Sequence, residues 1–93
     1  MAVKNYQEIE NEEVSVRLYQ SEKSNGYYGS FTFHTAIGDI AVRVNIKTGR
    51  KGVFLSFPSY RKSDGKYVQT AYPCSLEALE TLESLAEACI NQF

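Results

Sequence analysis

Tyr60, Arg61, Lys62, Lys66 and Tyr67 crowd into the middle of the stretch GVFLSFPSYRKSDGKYVQTAYP, positions 52 to 73. A guanidinium is shaped for phosphate oxygens and an aromatic ring stacks on a base, so these residue types suit contact with nucleic acid rather than bond-making. Arg43, Lys47, Arg50 and Lys51 precede them, and residues 43 to 66 carry a net charge of +6. Residues 75 to 93 hold Glu77, Glu80, Glu83 and Glu87 with no Lys or Arg, a net −4. The whole chain is only −1, which speaks against a general nucleic-acid binder. Such a separation nonetheless makes a dipolar surface able to steer an anionic partner to one side.

Catalytic chemistry finds no comparable cluster. His34 is the one histidine and no cysteine lies near it in sequence, so a zinc site would need carboxylates from elsewhere. Gly49-Arg50-Lys51-Gly52 has neither the length nor the context of a phosphate-cradling glycine loop. Glu12-Glu13 and the later glutamates read as solvated charge rather than as an acid–base pair. Cys74 and Cys89 lack a C-x-x-C spacing. If a helix separates them they are roughly 20 Å apart at 1.5 Å per residue, too far for a disulfide. Two reduced, partly buried thiols are the expectation. Neither an enzyme nor a metal or other cofactor is expected.

The elements that must position the cationic residues fit one domain of 93 residues. A chain this short has a small core, which dimerisation would help. With 43% hydrophobic and 23% charged residues the composition is that of a globular protein. No apolar run is long enough for a membrane span and the N-terminal segment lacks the apolar stretch of a signal peptide, so a cytoplasmic protein with no membrane partner is expected.

Residues 1 to 12 show no period and read as a flexible arm, leaving 13 to 93 as the domain. Val14, Val16 and Leu18 then alternate with Ser15, Arg17 and Tyr19. Ser24-Asn25-Gly26 suits a hairpin turn. A second strand runs from Tyr27 to Ala36, and Gly38-Asp39 is the next turn. Residues 40 to 47 form the clearest half-buried strand. After a turn at 48 to 52, residues 53 to 57 are apolar on both faces and read as a central, doubly covered strand. Asp64-Gly65 reverses the chain into a fifth strand over 66 to 72. From Ser75, a suitable N-cap, the period becomes helical. Leu76, Leu79, Leu82, Ala86, Cys89, Ile90 and Phe93 make its apolar stripe. The expected fold is α+β: a five-stranded antiparallel, meander-like sheet with one C-terminal helix packed on one face.

The helix leaves a second sheet face open. By strand parity that face includes Arg17, Tyr19, Thr32, His34, Arg43, Asn45 and Lys47. A face mixing basic and aromatic groups can receive phosphates and stack on bases, or it is a solvated surface, or a second subunit packs there. The turn at 48 to 52 and the one at 58 to 66 fall at opposite ends of the fourth strand, roughly 17–20 Å apart. Arg50 and Lys51 therefore cannot share one phosphate with Arg61 and Lys62 within a subunit.

Gly52-Val53-Phe54, Pro58-Ser59, Arg61, Asp64-Gly65, Tyr67 and Ala71-Tyr72-Pro73, with a weaker match at Val14 to Leu18, resemble the SpoVG family of bacterial stage V sporulation and septation regulators. The resemblance implies a small sheet with a C-terminal helix, a homodimer, and a DNA- or RNA-binding regulator. Arg61 and Lys62 are then the natural phosphate contacts. Two departures stand out: the helix has none of the basic residues that family members generally carry there, and Tyr72 replaces the usual histidine before the last proline. The alternative expectation is a protein-interaction or assembly module with the same dimer fold and no nucleic-acid binding, docking a protein partner on the acidic helix.

Overall fold

The alternation that begins at Val14 becomes a strand because one parity is apolar and the other is not. Strand β2 (Val14–Gln20) buries Val14, Val16 and Leu18 and turns Arg17 outward. It lies second in a five-stranded antiparallel sheet of order β1-β2-β3-β4-β5, with β1 Tyr6–Glu10, β3 Gly26–Thr35, β4 Gly38–Gly49 and β5 Gly52–Ser56. A two-stranded ribbon, β6 (Ser59–Arg61) and β7 (Tyr67–Gln69), follows, and then helix α1 (Leu76–Ile90). The structure is a computed structural model that describes residues 6–21 and 26–93. The α+β class, the five-stranded meander and the C-terminal helix are all as the sequence implies.

The helix starts where a cap permits it: Ala78 N donates to Ser75 Oγ at 3.0 Å. Leu82, Ala86 and Cys89 project from it into a core shared with Val16 and Leu18, Phe31 of β3, Val44 and Ile46 of β4, and Leu55 of β5. Phe31, Leu18 and Ile46 are almost fully shielded. Each contributes about 1.5–3 kcal/mol of hydrophobic stabilisation. The helix packs against β1 and β2 and against β5, the two margins of the sheet, so the sheet is coiled about it. Two residues of the predicted stripe are exceptions: Leu76 is 69% exposed at the helix start, and Phe93 lies past the helix end, 42% exposed with its ring 5.2 Å from that of Tyr27.

Four local expectations need correction. Residues 6 to 10 are an edge strand rather than part of an arm: β1 pairs with β2 from Tyr6↔Tyr19 to Glu10↔Ser15, and Ile9 packs against the core. The segment's own pattern is poor because its partners are distant; the Cys89 thiol, for one, donates to the Gln7 carbonyl at 3.2 Å. Next, β5 is a margin strand, not a central one. The chain leaves the sheet at Pro58, which has no N–H to continue a ladder, and Phe54 is left 68% exposed on the uncovered face. Residues 66 to 72 accordingly do not join the sheet; Tyr67–Gln69 pairs with Ser59–Arg61 alone. Finally, the β3–β4 turn is Ala36-Ile37, and Gly38 (φ 120°) and Asp39 already belong to β4. The turn expected at Ser24-Asn25-Gly26 lies outside the described residues except for Gly26, which opens β3.

Cys74 is exposed and Cys89 buried, both as free thiols, and burial pushes the Cys89 thiol above its ordinary pKa. No helix among the described residues is long and apolar enough to cross a membrane.

Candidate nucleic-acid interface

The β6–β7 ribbon is tied at both ends. At its base Thr70 N donates to the Pro58 carbonyl at 2.8 Å; at its tip Lys62 N donates to Lys66 O at 2.7 Å and Gly65 N to Lys62 O at 3.0 Å. Gly65 adopts φ 88°, and Asp64 Oδ1 accepts from Lys66 N at 3.0 Å, which explains why Asp-Gly stands here. Arg61 and Tyr67 are cross-strand partners and share a face, whereas Tyr60 pairs with Val68 on the other. Tyr67 is 70% exposed. Lys62 makes a loose 4.0 Å pair with Asp64. The five ribbon residues are thus near one another and exposed, but Tyr60 turns away from the Arg61–Tyr67 side.

Arg43, Lys47, Arg50 and Lys51 form a second group along β4. Register places Arg43 opposite Ser30 and Lys47 opposite Phe54, both on the uncovered sheet face. Arg50 and Lys51 occupy the two-residue turn between Gly49 and Gly52. No carboxylate among the described residues lies within ion-pair distance of these four side chains. Arg50 and Lys51 lie at the Gly52 end of β5 and the ribbon follows its Ser56 end, as the strand length requires. Lys47 lies between them opposite Phe54, and Arg43, two residues past the Asn45↔Ser56 pair, lies towards the ribbon end. The nine residues named from the sequence therefore spread along β4 from the turn towards the ribbon rather than meeting at one point.

Parity holds across the open face: Arg17, Tyr19, Thr32, His34, Arg43, Asn45 and Lys47 all point away from the helix. Arg17 is spoken for. Its guanidinium meets the Glu8 carboxylate at 2.6–2.7 Å and lies 4.6 Å over the Tyr6 ring. Hydrogen bonding to Glu8 raises its pKa further above an already high value, with a smaller push from Tyr19. At the far end His34 Nδ1 lies 2.9 Å from Asp39 and Nε2 3.8 Å from Glu10. The face is acidic at that end and basic towards Lys47.

Three aromatic residues of this face, Tyr6, Tyr28 and Phe54, are absent from the sequence expectation, which included Tyr19. Tyr6, Tyr19 and Tyr28 occupy one row across β1, β2 and β3, with ring centroids 5.4 Å apart at each step and the second pair nearly parallel at 17°. Phe54 stands on the same face of β5. Tyr28 shares the parity of Ser30 and Thr32, so its signal was present. Tyr6 was hidden by the arm reading and Phe54 by the central-strand reading.

Helix α1 lies on the opposite side of the sheet, so Glu77, Glu80, Glu83 and Glu87 do not intrude on Arg43 and Lys47. Near the helix start an apolar cleft of about 490 Å³ opens between Phe33, Val42, Phe57, Tyr72 and Leu82. Among the described residues no group of three His, Cys, Asp or Glu side chains could hold a metal ion.

No protein-family model matches the chain, and no solved structure is significantly similar to it. A protein of Symbiobacterium thermophilum described as "Putative septation protein SpoVG" is 34% identical over 41 residues, 44% of this chain. The match spans 29% of that relative's length. Over less than half of its length, the chain is similar to a SpoVG septation protein.

Proposed function

We propose that this chain is a nucleic-acid-binding regulator of the SpoVG kind, acting in the cytoplasm as a homodimer and not as an enzyme. The observation that carries the proposal is the group Arg43, Lys47, Arg50 and Lys51, which has no carboxylate partner among the described residues. Arg43 and Lys47 stand on the side of the sheet turned away from the acidic helix, and Arg50 and Lys51 in the turn at its end. The ribbon supplies Arg61, Lys62 and Lys66 as phosphate contacts, with Tyr67 beside Arg61 available to stack. Because the helix glutamates project elsewhere, the helix need not approach the phosphates. Dimerisation has room at the outer edge of β5, which has no strand partner among the described residues.

A second reading is favoured by one feature. The apolar cleft, with Glu13 and Glu77 on its rim, suits a protein segment better than a polyanion. The test is fluorescence-anisotropy titration of labelled single- and double-stranded DNA and RNA against the wild type and Arg61→Ala/Lys62→Ala. Binding at about 50 mM salt that the variant weakens ten-fold or more supports the regulator. Absence of binding to every oligonucleotide favours the protein-partner reading.

A further inference from the structure

The row of rings on the open face stops abruptly. Continuing the register from Tyr6, Tyr19 and Tyr28, the next two positions are Asn45 on β4 and Ser56 on β5. Tyr28 is stacked on Tyr19 through one face only and remains 48% exposed, so its other face looks over the short Asn45 side chain. Phe54 is the diagonal neighbour of Asn45 on β5 and bounds the far side. Two hollows meet here. One of about 500 Å³ lies between Tyr28, Ser30, Arg43 and Asn45; the other, of about 390 Å³, lies between Tyr28, Asn45, Lys47 and Phe54.

Resting on the nucleic-acid reading above, we propose that an unpaired nucleobase of a single strand continues the tyrosine stack over Asn45, between Tyr28 and Phe54. The amide of Asn45 carries both a donor and an acceptor for the base edge. Arg43 and Lys47 flank Asn45 at two residues' distance on the same face of the same strand, where the phosphates on either side of the base would lie. Charge selects this occupant over a second copy packed through the same face. The basic end bears no carboxylate among the described residues, so a two-fold axis there would set Arg43 and Lys47 against their own copies, whereas phosphates neutralise them. A duplex keeps its bases inside the stack and cannot fill the place; a single strand can.

The test compares wild type, Tyr28→Leu/Phe54→Leu and Arg61→Ala/Lys62→Ala, titrated with a labelled mixed-sequence 12-mer as single-stranded DNA, single-stranded RNA and duplex DNA. Leucine keeps the apolar bulk and removes the ring; a circular-dichroism melt checks the fold, and Phe54→Trp serves as a variant that retains an aromatic. Removing stacking rings is expected to weaken single-strand binding at least five-fold, since one stacked base is worth roughly 5- to 150-fold in affinity. Phe54→Trp should bind as wild type, and the duplex should bind more weakly than either single strand. The DNA and RNA arms show whether the sugar matters. Single-strand affinity within two-fold of wild type in the leucine variant, or a preference for duplex, overturns the inference. Loss confined to Arg61→Ala/Lys62→Ala leaves the regulator standing and the stacking site refuted; no binding by any form sinks both.

Discussion

Gly29 is the position where a single methyl group matters most. It lies on the covered face between Leu18 and Val44, and a Cβ there would run into the carbonyl oxygen of Arg17. The neighbour is backbone and cannot swing aside. Gly29→Ala should therefore lower stability by about 1–3 kcal/mol, the usual range for overpacking. A urea-denaturation midpoint measures it, and an unchanged midpoint would mean that β2 and β3 can separate locally at little cost. A glycine inside a strand pattern is itself a sign of close backbone approach. The sequence expectation passed over it, as it passed over Tyr28, although both signals were legible from parity. The Arg17–Glu8 pair was not: it depends on a strand whose existence the local pattern did not reveal.

At the level of elements, β1 separates what the chain shows from what it hides. Tyr6 to Glu10 contains one aliphatic residue, and its stability comes from cross-strand neighbours and from the helix behind it. Were it a loose arm, Ile9→Ala would leave stability untouched. As a half-buried residue packed on the core it should cost about 2 kcal/mol, the low end for such truncations, read as a shift in melting temperature. β4 and α1 were legible because each carries a sustained period along its length. β5 was misplaced for the opposite reason: Val53, Phe54, Leu55 and Phe57 are apolar at both parities, which describes a covered strand, whereas the structure gives one of those parities to an open face. The ribbon's turn was read correctly from Asp64-Gly65, but which strand pairs with which was not written in the turn.

Across the whole molecule, charge is sorted by the sheet. Cations lie along the open face of β4, its turn and the ribbon, while the helix glutamates lie behind the sheet. A protein of net charge −1 can thereby present a locally positive surface. Sequence showed the segregation along the chain. That it also becomes segregation in space follows from parity and from the side on which the helix packs. The most direct measurement is the dependence of single-strand affinity on salt, taken as the slope of log K against log[salt]. Engagement of the seven cations Arg43, Lys47, Arg50, Lys51, Arg61, Lys62 and Lys66 predicts a slope of about −5 and a loss of about 900-fold between 50 and 200 mM salt. In Arg43→Gln/Lys47→Gln the slope should shrink by about 1.4, more than a quarter. Binding that ignores salt, or a slope that the variant leaves unchanged, would contradict the account.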